Sequence, residues 1–209
     1  MNRINEINLK GRYKSRREFL QLAAGLGLSS LAADKVEGAE ISRIEFKVLN
    51  KNTRIDIGNE GNEIIKKAYE IGHKYEKQHG GCARCTVAAL QDAIPFIPKN
   101  EDVFRTACCL DGGATPTTMQ NCGAFTGSGI IIGYLCGTNA FGNTGLSHKL
   151  INKVYEKFKE AYGSVLCRDV KKKAKSNCPE VVGKAVSWAA EILLKQFTQN
   201  LRLKNVKRK

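Results

Sequence analysis

The chain has 209 residues, 42% of them hydrophobic and 26% charged, a formal net charge of +14 and eight cysteines. This size and hydrophobic content suit one domain with a sizeable core and exclude a mini-protein that depends on staples. The basic balance fits nucleic acid, an anionic membrane surface or an acidic redox partner, but no zinc-finger spacing or aromatic stacking motif accompanies it, so no nucleic-acid partner is expected.

The N-terminal stretch KSRREFLQLAAGLGLSSLAAD, Lys14 to Asp34, pairs Arg16 and Arg17 ahead of a run of small and apolar residues from Leu20 to Ala33. A basic leader, a short apolar region and a small-residue exit make a secretory signal in its twin-arginine form. The run is shorter than the roughly 20 residues of a membrane-spanning helix, and Gln21, Gly25, Gly27, Ser29 and Ser30 weaken it for lipid. Residues 1–33 are therefore expected to be an export signal read by the twin-arginine translocation machinery. The rest of the chain is expected in the periplasm or on the outer face of the cytoplasmic membrane. The signal carries +4 of the net charge, and basic clusters follow at KKKAK (171–175) and KNVKRK (204–209). These read as a solvated face and a basic tail over 201–209, or as a docking face for an acidic partner.

Residues 34–60 read as an N-terminal arm. Ile41, Ile44, Phe46 and Val48, then Ile55 and Ile57, alternate loosely enough for an extended segment or short hairpin. From Asn62 the period becomes helical, with Ile64, Ile65, Ala68, Ile71 and Tyr75 on one face and Gly80-Gly81 as the stop. A second helix is expected from Cys82 toward Ile94, before Pro95 and Pro98. Asn100 caps a short helix with Glu101 and Asp102 in its first turn. Thr115-Pro116 reads as the start of a glycine-bearing helix through Cys136. Four glycines within it cost roughly 1 kcal/mol each against alanine, so a close backbone approach is expected to offset them. Ser147 is expected to cap a helix to about Tyr162, residues 163–178 form a connector, and Pro179 opens a last helix. Residues 61–200 thus read as an all-α helical bundle.

The cysteines fall in recurring settings. GGCARC places Cys82 at a helix start, where free N–H groups and the helix dipole stabilise a thiolate. Cys122 precedes Gly123 in NCGAFTG, Cys167 precedes Arg168 in VLCRD, and Cys178 precedes Pro179 in SNCPE. GGCARCTVAAL, GGATPTTMQNCGAFTGSGIIIGYLCG, YGSVLCRDV and NCPEVVGKAVSWAAEIL, in this order, resemble the redox-active protein family named for its C, GCAxxG, C, C pattern. The likeness runs from about Gly80 to Leu194. The resemblance implies a helical fold and a redox role through an iron–sulfur cluster, [4Fe–4S] or [2Fe–2S], with Cys82, Cys122, Cys167 and Cys178 as the four positions carried over. The family also resembles the cysteine domain of split-Soret cytochromes c. A covalently attached haem is not expected here, because CARCT has Thr86 where Cys-x-x-Cys-His needs its histidine.

Thiolates are the preferred soft ligands of iron–sulfur clusters, and a cofactor-loaded folded protein suits the twin-arginine route. Cys85, Cys108 and Cys109 are alternative ligands, and Cys136 reads as a small core residue. Two other readings stay open: thiol–disulfide chemistry at the pair Cys82 and Cys85, and a binding domain stabilised by disulfides. Four-cysteine zinc is a lesser option. No catalytic triad or phosphate-binding loop is present, and GSGIIIG has no preceding strand to make it a dinucleotide fingerprint. The expectation is an electron carrier or redox accessory protein, with an acidic redox partner protein or a homodimer sharing the cluster as candidate assemblies.

Overall fold

The computed structural model describes residues 48–199 apart from 115, 139 and 140. The expected export signal, most of the arm and the basic tail lie outside these residues. Within them the chain forms seven helices and no strand: α1 (Gly61–His79), α2 (Cys82–Ala93), α3 (Glu101–Ala107), α4 (Gly123–Cys136), α5 (Gly145–Tyr162), α6 (Cys167–Lys173) and α7 (Cys178–Phe197). The expected all-α class is what the chain adopts. Among the described residues no helix is long and apolar enough to cross a membrane.

The bundle is organised around α2, whose Ala83, Val87, Ala89 and Leu90 are fully buried because helices cover it on several sides. α1 and α7 pack along one another over most of their length, and α2 lies against α1, α4 and α7. The apolar stripe of α1, Ile64 and Ala68, buries itself in this seam as the period of its sequence requires. α5 closes the far side with Leu150, Val154 and Phe158. There the Phe158 ring meets Phe125, Tyr162 and Trp188 at centroid distances of 5.7, 5.6 and 5.5 Å.

Helix ends follow local chemistry. Gly80 and Gly81 adopt positive φ (61° and 91°), which ends α1 and lets α2 start two residues later. The Asn100 side chain accepts from the Val103 N–H at 3.0 Å and starts α3. The Asn177 side chain accepts from the Glu180 N–H at 3.3 Å ahead of Pro179 in the first turn of α7.

Two expectations about elements are corrected, the starts of α4 and α5, and two segments left open by the sequence, the connector and the arm, take a definite form. α4 begins at Gly123, not at Thr115-Pro116, because residues 118–122 are drawn into backbone pairing with 165–168 and are not free to wind. The connector 163–178 contains a helix of its own, α6. α5 starts at Gly145, ahead of Ser147, whose hydroxyl instead donates to the Thr144 carbonyl at 2.9 Å. The described part of the arm is an extended segment rather than a hairpin. The Leu49 N–H donates to the Leu135 carbonyl at 2.8 Å, and Ile55 forms a single parallel bridge with Thr198. One bridge leaves nothing for a second strand to extend.

Candidate redox site

The four cysteines expected to act together line one cavity of about 260 Å³, and each stands at the start of a different helix. Cys82, Cys167 and Cys178 are the first residues of α2, α6 and α7, and Cys122 is the N-cap of α4. Cys82, Cys122 and Cys167 are buried and Cys178 is half-buried. The unpaired N–H groups of a helix's first turn favour negative charge beside them, which offsets part of the cost of burying a thiolate there.

Long-range backbone pairing brings two of these positions together. The Cys122 N–H donates to the Val165 carbonyl at 2.7 Å, and the Cys167 N–H donates to the Gln120 carbonyl at 2.8 Å. The Arg168 N–H reaches the Thr118 carbonyl at 2.9 Å. These bonds form an antiparallel bridge at Asn121 and Leu166 that fixes Cys122 against Cys167.

Cys82 is set by the approach of α2 to α4. Gly123 follows Cys122 with its bare Cα facing the Cys82 sulfur, and Gly127 faces the backbone of Ala83 at the next turn. Since the N-cap Gly81 has no side chain, Asp111 performs the capping from a distant loop. Its Oδ1 accepts from the Ala83 N–H at 2.7 Å, and its Oδ2 lies 3.7 Å from Arg84 Nε.

These contacts separate the thiols electrically. The Cys82 thiol is lowered to about 6, chiefly because the Cys122 thiol donates a hydrogen bond to its sulfur, with the Gly112 and Gly123 N–H groups adding to the effect. Burial and the Asp111 charge oppose this shift. Cys122 is pushed well above the ordinary thiol range by the same hydrogen bond and by burial. Burial also raises Cys167 and Cys178. The two thiols are thus pushed apart, Cys82 toward the thiolate and Cys122 toward the thiol.

The rest of the wall is mixed. Val170 and Val181 are apolar, Lys171 supplies positive charge, and Glu76 on α1 contributes a carboxylate. Glu76 Oε2 is buried without a hydrogen-bond partner, and the carboxyl is raised to about 7 by burial first and by the Cys82 charge second. Neither Glu76 nor Asp111 has a sequence signal that points to this cavity. Asp111 lies in CCLDGG after α3 and Glu76 near the end of α1, and neither neighbourhood carries a motif.

The other cysteines stand apart from this cavity. Cys85 is one turn along α2 from Cys82, but its thiol donates to the Gly80 carbonyl at 3.1 Å and opens toward a second hollow with Tyr75, His79 and Asp92. Burial and the Glu76 charge push it up to about 12. Cys136 is buried at the end of α4 and raised to about 11 by burial. Cys108 and Cys109 are exposed in the turn after α3. All eight cysteines are free thiols. His73 stacks on Tyr69 at 6.0 Å, and His79 is exposed. Among the described residues no three His, Cys, Asp or Glu side chains converge closely enough to hold one metal ion.

Residues 80–192 match the family described as "Putative redox-active protein (C_GCAxxG_C_C)", and the chain belongs to that family. The match begins at the end of α1, runs through most of α7 and includes all eight cysteines. It carries a general redox role for the chain. No curated protein and no solved structure matches it.

Proposed function

We propose that the chain is an exported electron-transfer or redox accessory protein that holds an iron–sulfur cluster through Cys82, Cys122, Cys167 and Cys178. The observation that carries this reading is the gathering of four cysteines, from four helix starts, around a single cavity. Its volume suits a polyatomic guest rather than one water. A cluster fits this donor set better than a single ion does. Its four cysteines are shared among two or four iron atoms and need not all converge on one point. When bound, the cluster would supply one-electron chemistry. The protein's part is to present thiolates, keep water out with Val170 and Val181, and offset negative charge with helix starts and Lys171. Residues 1–33 would act as the twin-arginine signal and deliver residues 61–200 to the periplasm or the outer membrane face. Arg168 and Lys171–Lys173, on the helix that starts at Cys167, fit an acidic redox partner protein.

Iron and acid-labile sulfide per chain, measured on anaerobically purified protein with visible absorption and EPR spectra, test the reading. Stoichiometric iron and sulfide are expected, with a signal that changes on reduction. Cys82→Ser, Cys122→Ser, Cys167→Ser and Cys178→Ser should each lose most of the iron, while Cys85→Ser and Cys136→Ser keep it. Metal-free wild type after reconstitution with iron and sulfide, or iron loss confined to the Cys85 and Cys136 variants, would sink it.

A second reading rests on the placing of Cys82 and Cys122 side by side on one cavity, where Gly123 closes on the Cys82 sulfur. A thiolate facing a thiol is a poised dithiol, so thiol–disulfide chemistry at this cavity would use Cys82 as nucleophile and Cys122 as resolving thiol. Cys85 is poorly placed for that part, since it opens into a different hollow.

A further inference from the structure

Free cysteine is among the most buried residue types, and six of the eight here follow that habit, five buried and Cys178 half-buried. Cys108 and Cys109 break it together: adjacent in sequence, both exposed, and outside the cysteine cavity. Nothing clamps either sulfur. Cys108 Sγ meets the Phe104 carbonyl at 3.7 Å and Cys109 Sγ the Thr106 carbonyl at 3.9 Å, both long contacts within their own turn. The pair is separated only by Leu110 from Asp111 and Gly112, which form part of the cavity wall.

We propose that Cys108 and Cys109 form a second, solvent-facing redox site, a vicinal dithiol that exchanges with the disulfide of a small molecule or protein. One thiolate attacks the incoming disulfide, whose S–S bond breaks, and the departing thiolate takes up a proton. The neighbouring thiolate then attacks the mixed disulfide and expels the second partner thiol. The two protein thiols are oxidised to one disulfide, and the partner disulfide is reduced to two thiols. Two features favour this chemistry. Exposure admits a bulky disulfide, and adjacency makes the second step intramolecular. Neighbouring Cα atoms lie about 3.8 Å apart, below the roughly 4.4–6.8 Å of relaxed disulfides. The product is therefore strained and readily reduced again, which suits a redox couple and not a structural staple.

The test treats the reduced full chain with excess glutathione disulfide and maps the products by mass spectrometry with peptide fragmentation. The expected product is a Cys108–Cys109 disulfide without bound glutathione, reversed by a dithiol reductant. Cys108→Ser and Cys109→Ser should stop at a stable mixed disulfide on the remaining thiol. Circular dichroism checks that both variants keep the helical fold. Two persistent glutathione adducts on the wild type, no reaction at this pair, or loss of the bound glutathione from the single-thiol variants as fast as from the wild type would each overturn the proposal. Oxidation confined to Cys82 and Cys122 would overturn it while leaving the cavity dithiol intact.

Discussion

Gly123 presents its bare Cα to the sulfur of Cys82, and a Cβ placed there would overlap that sulfur and come within 2.9 Å of the Ala83 N–H nitrogen. The meeting of α2 and α4 at the cavity thus depends on a missing side chain. The same absence lets the Gly123 N–H reach the Cys82 thiolate.

Gly123→Ala is expected to destabilise the chain by about 1–3 kcal/mol, the usual cost of overpacking a tight contact. The neighbour is a sulfur and a backbone segment, not the free end of a flexible side chain. Gly133, on the exposed face of the same helix, has nothing within 4 Å of an added Cβ. Gly133→Ala should therefore stabilise by up to about 1 kcal/mol through helix propensity. Urea unfolding of the two variants checks both signs, and equal effects at the two positions would refute the close approach.

Cys82 should react with iodoacetamide at a rate that rises through pH about 6 in metal-free, reduced protein, well below an ordinary thiol. In Cys122→Ala the largest stabilising contact of the thiolate is gone, so the midpoint should move upward. A pH–rate profile followed by mass spectrometry at Cys82 makes the comparison. An unchanged midpoint in the variant would assign the low value to the helix start and the backbone N–H groups alone.

Glu76 gives a stability effect of definite sign. Its carboxyl is raised to about 7 in the folded protein, so the folded state holds a proton that the unfolded chain releases near the ordinary carboxylate value of about 4.3. Its contribution is full below that value and is lost as pH rises through about 7. Cys82 works in the opposite direction, because its lowered value adds stability as pH rises above about 6. Comparison of wild type with Glu76→Gln removes the shared part. The variant should gain stability relative to wild type between pH about 5 and about 8, as urea midpoints at the two ends will show. A constant difference across that range would mean the carboxyl ionises normally.

Much of the fold was legible because its signals are local. The stripe Ile64–Ala68, the Gly80-Gly81 stop, the Asn100 cap and Pro179 each act within one or two turns, and each lies where expected. The start of α4 was not legible. Thr115-Pro116 has the local chemistry of a helix start, but residues 118–122 satisfy their backbone groups with 165–168, more than 40 positions away in sequence. Such pairing leaves no period to read. Asp111 is illegible for the same reason, since the helix it caps begins 29 residues earlier.

The sequence by itself determined the helical class, the family and the four cysteines that share one cavity, because apolar period, turn residues and motif order are written in neighbouring positions. Only the tertiary structure decided which thiol faces which. Cys85 is nearest to Cys82 along the chain and only one turn away, where residues three apart are neighbours, yet its thiol donates back to the Gly80 carbonyl and opens into a different hollow. Cys122 is 40 residues away, and it meets the Cys82 sulfur because Gly123 lets two helices close on each other.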